Sequence, residues 1–318
     1  MIYSKKFVQK TDYDSYKESE GYIAPNVSYC EDTEEVYYNQ YVPPPHDYSK
    51  DYLTFKALES GTFKLSGNSV DYSLDNGETW TTLASNTNSQ TVTAGSKIIW
   101  KGSLTPTSNG VGRFSSTGSF EVEGNPMSLL YGDSFVGQKD LTGKNNAFKY
   151  LLSGATSLTS AENMSLAATT LSELCYRSMF YNCTSLTTAP ELPATTLANS
   201  CYSTMFGGCT SLATAPSLPA TTLAQWCYQY MFYGCTGLTT APALPAKTLV
   251  NSCYYEMFSG CTSLNSITML ATTLADNCLY QWVKDVASTG TFIKAVLMTS
   301  LPSGVNGIPS GWTVQDAT

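Results

Sequence analysis

The chain has 318 residues, 42% of them hydrophobic, and a formal net charge of −8. That length allows more than one core, and the acidic balance argues against a nucleic-acid surface, which would be basic. No apolar run approaches the roughly 18–20 residues of a membrane helix, and none follows the first lysines as in a signal peptide, so the sequence predicts accumulation in a cytoplasm.

Residues 1–50 form the first predicted region. They hold nine tyrosines, scattered acids and Pro43-Pro44-Pro45, and residues 1–52 carry ten acids against five bases. No period of 2 or 3.6 is sustained, although Val27-Ser28-Tyr29-Cys30 and Glu35-Val36-Tyr37-Tyr38-Asn39 read as two short strands. Disordered segments are poor in aromatics, so the composition predicts an extended segment that orders against a partner. Tyr29, Tyr37, Tyr38 and Tyr41 are its expected anchoring side chains, because tyrosine combines contact area with a polar tip. The proline triplet is then a stiff spacer.

Residues 51–125 read as a small β-sandwich. Strands are expected over 52–58, 62–65, 70–74, 79–83, 91–93, 97–101 and 119–122, with Asp75-Asn76-Gly77 as a hairpin turn. The stretch Ser73-Leu74-Asp75-Asn76-Gly77-Glu78-Thr79-Trp80 matches the Asp-box pattern of sialidases and many unrelated β proteins. A single box, without an arginine cluster, reads as a structural hairpin. Residues 126–149 read as a linker and N-terminal cap, carrying Met127-Ser128-Leu129-Leu130-Tyr131 and Phe148-Lys149-Tyr150-Leu151-Leu152.

Residues 150–278 are a repeat. Full copies begin at Cys175, Cys201, Cys227 and Cys253, 26 residues apart, after a degraded copy and before one that reaches Cys278 a residue early. A fixed period of this length is the signature of a stacked architecture with atypical end copies. Leu197, Cys201, Met205 and Cys209 recur every fourth residue, which predicts a short helical face. In the first full copy, Thr184-Ser185-Leu186-Thr187-Thr188-Ala189 predicts a strand-like rung, closed off by Pro190. The nine cysteines in two columns read as buried, reduced thiols. Tyr176, Tyr202, Tyr228 and Tyr254 recur once per copy and are the candidate binding residues, with core packing as the plainer reading. The Thr-Thr pairs, such as Thr195-Thr196 and Thr221-Thr222, form a further column. Residues 279–318 are the expected C-terminal cap, with Trp282 and Trp312 covering the last rung.

No catalytic constellation is expected. The chain has one histidine, His46, no Gly-rich phosphate loop and no zinc-type spacing, so no catalytic residue, metal ligand or cofactor is assigned.

The Met-Phe-x-Gly-Cys-Thr-Ser-Leu core, followed by a Leu-Pro step, resembles the BspA-like leucine-rich repeats. The chain departs from that family in having Met for Ala, a proline after the rung and a slightly longer period. The resemblance implies a mainly β protein with short helices, whose repeats form a right-handed solenoid used in adhesion or binding. With the acidic Tyr-rich start, the β domain and the tail Gly-Ile-Pro-x-Gly-Trp-Thr-Val, the whole arrangement resembles fibre or appendage proteins of crAss-like phages infecting gut bacteria. That likeness implies a non-enzymatic head or tail fibre, assembled in the host cytoplasm. Its residues 1–50 would bind capsid or tail proteins, its solenoid would meet a host receptor or glycan, and it would be a homotrimer or dimer. No nucleic acid or membrane is an expected partner. A bacterial surface adhesin and a glycosidase are the alternatives.

Overall fold

The computed structural model describes residues 46–299 and 301–317, together with the backbone of three earlier strands. Among the described residues the protein is mainly β, with one short α-helix and several sheets, none of them closed. It divides into two compact units, Met1–Asp47 and Tyr48–Thr318.

In the first unit, β1 (Ser4–Phe7), β2 (Val27–Cys30) and β3 (Glu35–Asn39) form an antiparallel sheet in the order β1-β3-β2. The two expected strands are present. The boundary falls before Tyr48 rather than after residue 50, because the Asn125 side chain donates to the Ser49 carbonyl and the Asn125 backbone N–H to that of Asp51.

The second unit opens with β4 (Leu53–Ala57), β5 (Phe63–Ser66), β6 (Val70–Ser73), β7 (Thr81–Leu83), β8 (Lys97–Lys101), β9 (Arg113–Ser116) and β10 (Phe120–Glu123). The alternating burial of β5 and the aromatic content of β4 and β8 follow the period-2 rule for a half-buried strand. The β5-β9 pair packs on the larger sheet through Phe55, Phe63, Trp100, Phe114 and Phe120, whose rings meet at 4.8–6.4 Å. The expected strand at 91–93 is reduced to a single bridge, Gly61 with Val92, while β9 was not anticipated because its polar Arg-Phe-Ser-Ser buries only one ring.

Residues 126–149 are not a free linker. Helix α1 (Ser128–Tyr131) closes one end of this sheet: the Ser128 hydroxyl donates to the Trp100 carbonyl and accepts from the Leu53 N–H. Phe148 belongs to the first turn of the repeat, its ring stacked on Tyr176 at 5.6 Å. The first turn is two residues longer than the others, which hid this register in the sequence. The extra length falls after β11 (Leu158–Ser160), where Met164 bridges Gly124. Strand β11 pairs in parallel with β10, so the sheet order is β11-β10-β4-β8-β6-β7 and the β-rich region abuts the first turn directly.

Each later turn hydrogen bonds to the next at a nearly constant offset. Around Cys201 the N–H groups alternate: Ser200, Tyr202, Thr204, Phe206 and Gly208 donate to carbonyls of the following turn, whereas Cys201, Ser203, Met205, Gly207 and Cys209 donate three residues back. The expected helical face is therefore corrected. These stretches are successive four-residue turns, because every fourth residue has positive φ, as in Ser200 (53°), Thr204 (58°) and Gly208 (75°). Positive φ breaks an α-helix, and each non-glycine residue held there costs about 1–2 kcal/mol. The resulting period of four brings Cys201-Tyr202, Met205-Phe206 and Cys209 inside together. The rungs pair through isolated parallel bridges such as Thr214 with Thr240 and Thr240 with Ser266, and only the end copies extend them into strands.

At the C-terminal end, β12 (Ser266–Met269), β13 (Thr291–Lys294) and β14 (Thr313–Asp316) form a parallel sheet. The expected cap thus adds two more parallel strands at shorter spacing, Lys294 and Asp316 being 22 residues apart. Trp282 takes the place of the column methionine. Its indole meets Tyr254 at 6.4 Å and Phe258 at 6.1 Å, so one side chain covers both aromatic columns. Trp282 and Trp312 are both buried, with their N–H groups on the carbonyls of Gly307 and Ala287.

Leu212 is fully buried and Ser217 is exposed. Leu212→Asp should cost several kcal/mol and unfold neighbouring turns together, whereas Ser217→Asp should change stability by less than about 0.5 kcal/mol. Thermal melts of the two variants check this; equal values would mean the rung is inverted.

Candidate functional site

The Asp-box carboxylate is committed to its own hairpin. Asp75 Oδ1 accepts from the Ser73 hydroxyl (2.6 Å) and the Thr79 N–H (2.9 Å), and Oδ2 accepts from the Thr79 hydroxyl (2.6 Å). The Trp80 indole N–H reaches the Gly77 carbonyl, and the Lys101 ammonium lies 4.1 Å from the centroid of the Trp80 ring. These bonds, the Ser73 hydroxyl first, hold the Asp75 carboxyl down to about 2. Its contribution to stability is fully present above the usual carboxylate value of about 3.9 and is lost as pH falls through about 2. Among the described residues, no three His, Cys, Asp or Glu side chains converge as metal ligands would.

The candidate binding tyrosines lie elsewhere than a ligand requires. Tyr176, Tyr202, Tyr228 and Tyr254 are only 1–2% exposed and stack ring on ring at 5.7–6.0 Å. They form an interior wall, and the assignment of these four to ligand contact is corrected on that ground. Phe148 holds the same place in the first turn without a hydroxyl, so the column does not require the phenol. Tyr29, Tyr37 and Tyr38 lie on paired strands, but their side chains, like the whole of Tyr41, lie outside the described residues.

The cysteines sit beside this wall, nine of them free and buried. In one column, the thiols of Cys183, Cys209, Cys235 and Cys261 donate to the carbonyls of Leu152, Phe180, Phe206 and Phe232 at 2.9–3.1 Å. Ala155 stands at that position in the first turn, whose neighbouring strand is β10 rather than an earlier turn. Burial pushes the Cys183 and Cys235 thiols up to about 12 and raises Cys209 and Cys261 as well, so they stay protonated donors and poor nucleophiles.

The aromatic side chains that do reach solvent are on the opposite side of the same four-residue turns. Tyr230 meets Tyr233 and Tyr255 edge-on at 5.7 and 5.6 Å, and Tyr255 stacks on Tyr280 at 4.7 Å. Trp226, four residues before Tyr230, is 41% exposed, and Tyr233 is 45% exposed. The Tyr230 hydroxyl donates to Glu256 at 3.2 Å, and partial burial beside that carboxylate raises its pKa. The row thus offers flat apolar faces edged by a carboxylate and by Gln281, whose amide donates to the Tyr280 hydroxyl. Sequence reasoning missed it because the period reveals what is repeated, whereas this row occupies positions where copies differ: Ser203, Gln229, Tyr255 and Tyr280 succeed one another in neighbouring turns.

Comparison with known proteins adds no relative: no family model, curated protein or solved structure matches the chain.

Two expectations follow from the interior. Tyr202→Phe should leave stability unchanged or slightly raised, because the buried Tyr202 hydroxyl has no protein partner; Tyr202→Ala should cost about 3–5 kcal/mol. Equal melting temperatures for these two variants would refute the stacked wall. Stability should also fall as pH rises above about 8.5, since the unfolded chain then sheds thiol protons that the folded chain keeps. Melts from neutral to alkaline pH check the slope, and a flat profile would mean the thiols are accessible.

Proposed function

We propose that the protein is a non-enzymatic attachment protein, built as a small β-sandwich followed by a leucine-rich-repeat-like right-handed solenoid. The observation that carries this reading is the surface row of rings, with Trp226, Tyr233 and Tyr280 exposed and Tyr230 and Tyr255 half-buried between them, on turns whose interior is closely stacked. Clustered surface aromatics are costly to leave in water without a partner. The constant offset of the inter-turn hydrogen bonds supports the solenoid, and the BspA-like wording of the repeat supports adhesion. The Asp box supports no glycosidase, because its carboxylate is consumed in the hairpin.

The particular role proposed is that of a virion structural protein, a head or tail fibre of a phage of gut bacteria. The acidic, tyrosine-rich Met1–Asp47 unit is the anchor on capsid or tail proteins. The solenoid faces outward toward a host-surface receptor or glycan. Symmetric shells favour homo-oligomeric appendages, so the assembled form is a trimer or dimer.

A protein beginning at Tyr48 should fold with a native melting transition yet fail to join the particle, whereas residues 1–47 fused to an unrelated protein should be incorporated. Normal assembly of the shortened protein would place attachment in the second unit and refute the anchor assignment.

A further inference from the structure

Between the β-rich region and the first turns lies a cleft of about 670 Å³, within the range of small-ligand sites. Asn68, Asn86, Asn109, Arg113, Tyr150 and Tyr181 line it, and none of its described lining residues is acidic. Its position is distinct from the outward ring row.

Charge is the first feature. The chain is acidic overall and has only two arginines. Arg113 lines the cleft, and Arg177 follows Lys149 in the next turn, the Tyr150 N–H donating to the Arg177 carbonyl. The four ion pairs among the described residues engage Lys56, Lys97, Lys101 and Lys294, so Arg113, Lys149 and Arg177, like Lys64, Lys139, Lys144, Lys247 and Lys284, have no carboxylate partner among the described residues. Lys149 feels this directly: burial, and then the charge of Arg177, lower its pKa. Arg113 is the one cation in the described lining, with Lys149 next to Tyr150 behind the rim, and positive charge at a concavity raises the local concentration of an anion.

The second feature is a lining suited to a polyhydroxylated ring. Asn68 and Asn86 each spend one amide N–H on the protein, on the Val111 carbonyl and the Ser85 hydroxyl, and among the described residues the Asn109 amide has no protein partner. An amide with free donor and acceptor sites matches a sugar hydroxyl, which is both. The Tyr181 ring lies across the next turn at Gly207, where an added Cβ would stand 3.3 Å from a ring carbon, and the ring is 37% exposed. Glycine there keeps the ring flat and open.

The third feature is a rim fixed in advance. Thr107 and Gly110 exchange backbone hydrogen bonds, the Lys149 ammonium donates to the Ser108 carbonyl at 2.8 Å, and a Cβ on Gly110 would stand 2.4 Å from the Lys149 carbonyl oxygen. A loop held this way loses little freedom when a ligand enters.

We propose that this cleft binds a carboxylated sugar, its carboxylate on Arg113, its hydroxyls on the asparagine amides and its C–H face on Tyr181. The guanidinium supplies the planar two-point contact that a carboxylate takes best. This site deepens the attachment reading by naming a ligand class, and it rests on that reading only for where the sugar would be met.

The test is calorimetric titration of the full-length protein with 3′-sialyllactose and with trigalacturonate, each against its neutral counterpart, lactose or the trigalacturonate methyl ester. At least one carboxylated probe should bind, its neutral counterpart at least about tenfold more weakly, and Arg113→Gln should weaken binding about tenfold or more with an unchanged melting temperature. Arg113→Lys should weaken it less, and Tyr181→Ala should weaken binding of charged and neutral sugars alike. The proposal fails if neither carboxylated probe binds at about millimolar concentration, if the neutral sugars bind as tightly, or if both Arg113 variants bind like the native protein. Because purified sugars are the probes, a negative result here leaves the particle-assembly test untouched, and failure of assembly leaves the sugar titration valid.

Discussion

The repeat region depends on one backbone arrangement: alternate N–H groups point within a turn and out to the next. Tyr202, Phe206 and Gly208 donate to the following turn, while Cys201, Met205 and Cys209 donate locally. A buried N–H left without a partner costs about 1–3 kcal/mol, so neither set can be abandoned. The alternation demands a left-handed residue every fourth position, which glycine meets readily at Gly208, Gly234 and Gly260. Leu174, Thr204 and Trp226 meet it under strain. Such strain persists only where the surroundings over-determine the backbone, and here the surroundings are the two adjacent turns.

Packing follows from the same arrangement. Because inward residues come in adjacent pairs, each of the four full copies presents a Cys-Tyr pair and a Met-Phe pair, and identical residues of neighbouring copies fall on one another. The Phe180, Phe206, Phe232 and Phe258 rings stack at 5.4–5.7 Å and within 8° of parallel. Columns of this kind have ends, and the ends carry substitutions suited to them: Phe148 and Ala155 where the neighbour is the β10 edge, Trp282 where one indole must cover two columns. A stack whose interior is so regular leaves chemical variety to its outer positions. The surface ring row is built from those outer positions, and the cleft combines two of them, Tyr150 and Tyr181, with Arg113 and loops of the β-rich region.

The 26-residue period, the two cysteine columns and the two N-terminal strands were legible in the chain, because repetition and period-2 patterns report the environment of each residue directly. A four-residue spacing alone does not distinguish a helix from a series of turns, since both put i and i+4 on one side. Only the left-handed backbone at Ser200, Thr204 and their equivalents decided it, and those residue types do not announce positive φ. The start of the first, degraded turn was hidden for a different reason: two extra residues shift Phe148 out of the period, and its stacking on Tyr176 restores the register. Tyr176 and its equivalents went from candidate ligand contacts to interior wall because a column can face either way until its neighbours are placed. The cleft needed the fold most of all, since Asn68, Asn86, Asn109, Arg113 and Tyr181 are far apart in the chain and share a surface only where β9 meets the first turns.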